Sequence, residues 1–364
     1  MRQTILSLLL LPLFFLSAYA QDVYRETAEE TGVYAMEEEL GEDGRAISGK
    51  LEVDGSYDYA GALRRLASKL LQSVKSELSG SLSFASGLIA IALLCALAGS
   101  LCDSESIREY INLAGCCAAA ASLLGGIDGI VSQTVGSLND LSDYSKAALP
   151  ALFTAAAACG AVGSSAAKYA AVCMALDVLM SVAQRVIIPL VYAFLAASLS
   201  NSLFSNSLLG SMAKLTKWLA TTIMTGMTIA FSAYIGMTGL VAGSVDAVAV
   251  KTAKTVISTA LPVVGGIISD ASSVVLSAAG VIKNSAGVFG LIAVCALCVG
   301  PFVMLSVKML ILRAAAAVSD TIPNSRLSGL IASVSTAMGL LMGLLGCCGI
   351  MLFISIMAGI KVVT

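Results

Sequence analysis

Six ionisable side chains stand in or beside apolar runs. Asp128, Lys168, Asp177 and Arg185 lie in the first half of the chain, Asp270 and Lys283 in the second. Such a group at the centre of a bilayer costs about 2.5–3.5 kcal/mol on insertion scales, so it persists where it pairs, meets water or reaches the interface. Two readings of the set stand. The residues line a polar conduit, or they sit at hairpin ends near the headgroups, with Lys168, Arg185 and Lys283 snorkelling. Backbone-breaking residues lie close by: Pro150 before the first group, and Pro262, Gly265 and Gly266 before the second, where Asn284 follows Lys283.

Other chemistry is excluded by residue type. The chain has no histidine. That removes a Ser/His/Asp triad, a Cys/His pair, a histidine general base and any His-ligated metal. The ten cysteines sit almost entirely in apolar runs and read as small buried hydrophobes. Cys295 and Cys298 have redox spacing but lack the βαβ context that a thioredoxin-like motif needs. Gly125-Gly126 and Gly265-Gly266 are not followed by the Lys-Ser/Thr of a nucleotide loop. No catalytic constellation, cofactor site or metal site is expected, and the reading is non-enzymatic.

The elements that must position these groups follow from composition. Of 364 residues, 58% are apolar and 12% charged, and the mean hydropathy is +0.92. A soluble domain carries about 25% charged residues. There is too little polar surface here to coat a globule in water, so the chain reads as an integral membrane protein. The net charge of −2 argues against nucleic acid as a partner, which would draw a basic stripe.

Residues 1–20 have a basic start, an apolar run of about a dozen residues and an Ala-x-Ala end, the pattern of a signal peptide cleaved after Ala20. An uncleaved anchor is the other reading. Either one exports the segment beyond Ala20. Residues 21–56 form an acidic segment, expected to be solvated and flexible; from Asp22 to Glu77 there are 13 acids and 7 bases. In 57–82, Leu63, Leu66, Leu70, Val74 and Leu78 recur at helical spacing. That predicts an amphipathic helix in the headgroup layer or on a partner.

Six apolar stretches can cross a bilayer of about 30 Å: 84–101, 111–131, 186–204, 218–243, 286–307 and 329–360. The fold class is thus all-α, a polytopic transmembrane bundle, with the first two spans in 83–146. Two interrupted regions, 147–184 and 259–283, read as re-entrant hairpins. They open at Pro150 and Pro262 and break at 160–168, and at 265–266 and 269–270. Irregular backbone at that depth requires protein or a watery cavity around it. With the amino end outside, six crossings place Lys214, Lys217, Lys308, Arg313 and Arg326 inside, as basic loops prefer. Full crossing by the hairpins would give eight or more spans.

A shift of 112 residues places Pro150 on Pro262, Pro189 on Pro301, and Lys214-Leu215 on Arg326-Leu327, with about a quarter of positions identical over 148–191. This points to a duplication of 148–245 and 260–357, within membrane portions 147–245 and 246–364. Coincidence in biased sequence is the alternative. Repeats around broken helices are a transporter device.

The segments Ile257-Ser258-Thr259-Ala260-Leu261-Pro262-Val263-Val264-Gly265-Gly266, Ser269-Asp270 and Gly280-Val281-Ile282-Lys283-Asn284-Ser285-Ala286-Gly287 resemble the stage III sporulation protein AE family of endospore-forming bacteria. The resemblance is loose from about residue 57 and most specific over 257–313. It implies a multi-pass protein of the mother-cell membrane surrounding the forespore, with its amino-terminal segment extracytoplasmic. The implied assembly is a secretion-like channel complex joining the two cells and needed for late forespore development. The implied partners are other membrane and ring-forming subunits, a cytoplasmic secretion-type ATPase acting indirectly, and the lipid bilayer. A secondary transporter for a small solute or ion, and a scaffold without its own pathway, are the alternatives.

Overall fold

The computed structural model describes residues 25–50, 57–102, 104–159, 162–204, 207–260, 264–321 and 325–360, excluding the side chains of 43, 162–165, 167–168, 237–260, 264–278 and 325. The expected signal peptide lies outside the described residues. Every regular element among them is helical. After short helices Ala35–Glu38 and Glu42–Ser48 come α1 (Tyr59–Ser100), α2 (Glu105–Ala158), α3 (Val162–Val182), α4 (Ile188–Phe204), α5 (Ser207–Ala260), α6 (Val264–Asp320) and α7 (Ser325–Ile360). Six stretches are long and apolar enough to cross a membrane: Tyr59–Ser100, Glu105–Ala158, Tyr169–Phe204, Ser207–Gly236, Ala279–Asp320 and Arg326–Ile360. Four of the six expected spans fall inside these, the first overruns Ser100 by one residue, and the fourth begins inside Ser207–Gly236.

Local chemistry explains several boundaries. The Asp58 carboxylate accepts the Gly61 N–H at 2.9 Å and caps α1. Pro189 lacks an N–H and its ring would press on the carbonyl of Arg185 in regular α-helix. The chain answers with one π turn, Ala183–Ile187, in which the Ile188 N–H reaches back to the Ala183 carbonyl. Pro150 and Pro301, in contrast, lie inside α2 and α6 without ending them. Neighbouring helices can re-satisfy the freed carbonyl in such a bundle.

Side-chain contacts fix the helix directions. α2 runs antiparallel to α3 and α4: Gln184 Nε2 donates to Asn139 Oδ1 at 2.8 Å, and the Phe153 and Tyr169 rings lie 5.8 Å apart nearer the turn. α7 runs parallel to α2, with Arg326 on Glu109 at 3.2 Å at one end and Gly359 against Leu152 at the other. α6 runs antiparallel to α7: Ser335 Oγ donates to the Met309 carbonyl at 2.8 Å, and Gly287 meets Ile360. Therefore α4 and α6 point the same way. The run 162–204 and its counterpart in α6 are thus like-facing, although the first half also contains the turn at Cys159, which α6 lacks.

The hairpins differ from the sequence expectation. Pro150 does not open the first one; α2 runs through it, and the turn comes at Cys159 with α3 already helical from Val162. Gly265, Gly266 and Asp270 do not break the second; they lie in the continuous helix Val264–Asp320. Pro262 lies outside the described residues. The arms are also far longer than re-entrant halves. At 1.5 Å per residue, α2 is ~81 Å long, well over twice a hydrocarbon core of about 30 Å. Nor does a break separate the amphipathic segment 57–82 from the first span, since α1 passes through both.

The described part of the acidic segment, residues 25–50, is folded as well. Residues 25–31 are helical, and Val33, Met36 and Leu40 are buried. Met36 seats on Gly290, where an added Cβ would meet its methyl at 3.1 Å. Helix Glu42–Ser48 ends at Gly49, φ 77°, a left-handed position suited to glycine. Arg65 of α1 holds this end, donating from Nε to the Ile47 carbonyl at 3.0 Å. Tyr57 donates its hydroxyl proton to the Ser48 carbonyl at 2.5 Å and packs edge-on to Phe289. The acidic charges point outward, while an apolar stripe carries the lobe onto α6. Charge counting saw the first and missed the second.

Candidate functional site

The sequence-predicted residues fall in two regions. Around the α2–α3 turn, Pro150 is half-buried in α2, while Asp177 on α3 and Arg185 in the π turn are exposed. Asp177 borders a cavity of about 260 Å³ between the arms, along with Ser145, Lys146, Tyr169 and Cys173. Lys146 sits near Asp177 but is hydrogen-bonded at 2.7 Å to Asp143 on its own helix. Asp128, on the same face of α2 as Asn139, lies beside Tyr192 of α4. This interface is thus a ladder of polar contacts between antiparallel helices. The side chain of Lys168 lies outside the described residues, as do those of Gly265, Gly266 and Asp270.

Lys283 is the predicted residue that the fold treats most distinctively. It is 3% exposed, and Cys159, at the carbonyl end of α2, is its electrostatic neighbour. No ion pair with a carboxylate forms there among the described residues. Partial negative charge at a helix C-terminus favours a cation. Asn284, next in sequence, points outward.

A second constellation escaped sequence reasoning. Glu77 of α1 and Lys308 of α6 form an ion pair at 3.2 Å, 31% and 27% exposed. Beside it, α1, α2, α6 and α7 line an open cavity of about 290 Å³. Its lining is apolar apart from Lys308 and Ser81, whose buried Oγ has no hydrogen-bond partner. Burying a hydroxyl unpaired costs on the order of 1–3 kcal/mol. Glu77 had read as part of the exported segment, and Lys308 as the start of an inner loop. No periodicity in either helix reveals that they stand abreast.

The pair also corrects the topology. Six flat crossings put Glu77 outside and Lys308 inside, separated by a hydrocarbon core of about 30 Å. At 3.2 Å they share one level. Arg326, placed inside, pairs with Glu109 at the start of α2. The apolar stretches of α1 and α6 are therefore staggered along the bundle.

Among the described residues no group of three or more Cys, Asp or Glu side chains is arranged to hold a metal ion. The arrangement offers polar surfaces, buried charge and a lipophilic cavity.

Comparison with known proteins adds one finding. The family model for stage III sporulation protein AE matches residues 54–362, which takes in α1 to α7 and the whole segment 257–313. No curated protein and no solved structure matches the chain.

Proposed function

The chain belongs to the stage III sporulation protein AE family, and from that premise we propose a non-enzymatic membrane subunit of a channel or secretion-like complex linking mother cell and forespore. It would reside in the mother-cell membrane surrounding the forespore and serve late forespore development. Its neighbours would be the other membrane and ring-forming subunits, with a secretion-type ATPase acting from the cytoplasm. The observation that carries the reading is the extent of the family match, which takes in every long helix and leaves out only the first 53 residues and the last two.

In this reading the exposed polar residues Asp177, Arg185 and Asn284 face either neighbouring subunits or the conduit. Cysteine substitutions at the three positions, probed with a membrane-impermeant thiol reagent in sporulating cells, test it. Labelling that depends on the presence of the other subunits is expected. Labelling identical in their absence would count against an assembled conduit.

A secondary transporter is the second reading, favoured by the Glu77–Lys308 pair beside a cavity inside the bundle. Its test is flux. The purified chain alone in liposomes is expected to move no small solute, and flux that disappears in E77Q or K308Q would replace the first reading with this one.

A further inference from the structure

The cavity between α1, α2, α6 and α7 has a composition that neither water nor packed protein satisfies. Water needs two to four polar partners, and the lining offers chiefly Ser81 and Lys308. Side chains do not fill the space because Gly80 and Gly126 border it, and a Cβ on either would meet nothing within 4 Å. Its volume of about 290 Å³ lies at the lower end of small-ligand pockets, which begin near ~300 Å³. At about 30 Å³ per water-sized group it holds roughly ten heavy atoms. That suits a length of acyl chain and not a whole lipid.

The mouth is apolar on the outside. Phe84, which lines the cavity, is 38% exposed, and the lining glycines Gly80 and Gly126 are exposed with it. In a bundle with six bilayer-length apolar helices, such a rim faces acyl chains. Lys308 and the unpartnered hydroxyl of Ser81 line the polar end of the cavity, and the Glu77 carboxylate stands beside it, paired with Lys308. Together they are neutral but bipolar.

We propose that this cavity is a phospholipid site with a zwitterionic, amine-bearing headgroup as its preferred occupant. One acyl chain enters between Leu123, Ile127, Ile311 and Met338. The lipid phosphate meets Lys308 and accepts the Ser81 hydroxyl proton, and the headgroup ammonium meets Glu77. The charge pattern selects the headgroup: an anionic lipid of equal chain length gains Lys308 but meets the Glu77 carboxylate. The site is independent of whether the protein forms a conduit.

The test uses the full chain in vesicles of phosphatidylethanolamine and phosphatidylglycerol, with a trace of either lipid bearing a photoactivatable acyl chain. Adducts are mapped by mass spectrometry. Labelling at 123–130 and 308–312 is expected, with the ethanolamine probe favoured about fivefold. G126L, which occupies the cavity, is expected to reduce that labelling to the level of the outer surface. E77Q removes the repulsion and is expected to abolish or reverse the headgroup preference while labelling persists, which also shows that the protein is folded. Equal labelling by both probes in the native chain, or undiminished labelling of folded G126L, overturns the proposal.

Discussion

Lys283 and Tyr57 show how a single buried polar group can be held in such a bundle. Lys283 has the carbonyl end of α2 beside it and no carboxylate among the described residues. Replacing a buried charge by an apolar chain of similar length is often neutral or stabilising, whereas leaving a wrong charge there is strongly unfavourable. K283M is therefore expected to unfold within about 1 kcal/mol of the native chain, and K283E to lose on the order of 3 kcal/mol. Thermal unfolding in detergent measures both. A large loss in K283M as well would mean that Lys283 makes a specific charged contact. Burial pushes the Tyr57 hydroxyl up to about 12, with Asp58 adding to the rise and Arg65 opposing it. Because the folded value lies above the unfolded value of about 10, the contribution is full below pH 10 and is lost as pH rises through about 12. The lobe at 25–50 is expected to release from α6 across that window, read as new protease cuts near Gly49. In Y57F release should lack this pH dependence.

At the scale of elements, the parallel pairing of α1 with α6 is the least anticipated contact and the easiest to test. Single charge reversals, E77K and K308E, each bring like charges together at a half-buried position. The double reversal restores the pair. A coupling of about 1 kcal/mol is expected from the cycle, and a coupling of zero would mean that the two helices do not stand in this register. The elements themselves were legible in the sequence. Helix type and the six apolar stretches follow from hydropathy. The breaks were not legible. Pro150, Gly265 and Gly266 would end helices in water, but long helices packed on neighbours keep their hydrogen bonds through such residues. Pro189 did disturb its helix, and only by a π turn.

Across the whole molecule, the sequence placed predicted site residues by depth in a bilayer, and the fold places them by packing partner. Asp177 and Arg185, expected to line a conduit or to sit at hairpin ends, both reach the surface. Lys283 belongs with Cys159, more than a hundred residues away. No local pattern encodes that, because it depends on the register of α2 against α6. Glu77 and Ser81 were missed for the same reason. The acidic lobe was misread because a few buried apolar side chains decide docking, while the many exterior carboxylates decide composition. A single long helix binds these parts mechanically. α2 is an unbroken rod of 54 residues with Glu109 near one end and the Lys283 contact at the other. A helix that long couples its two ends. A displacement of the Glu109–Arg326 end is expected to reach the far tip, with Pro150 as the place where the helix can bend, as a shift of Cys159 against the buried ammonium.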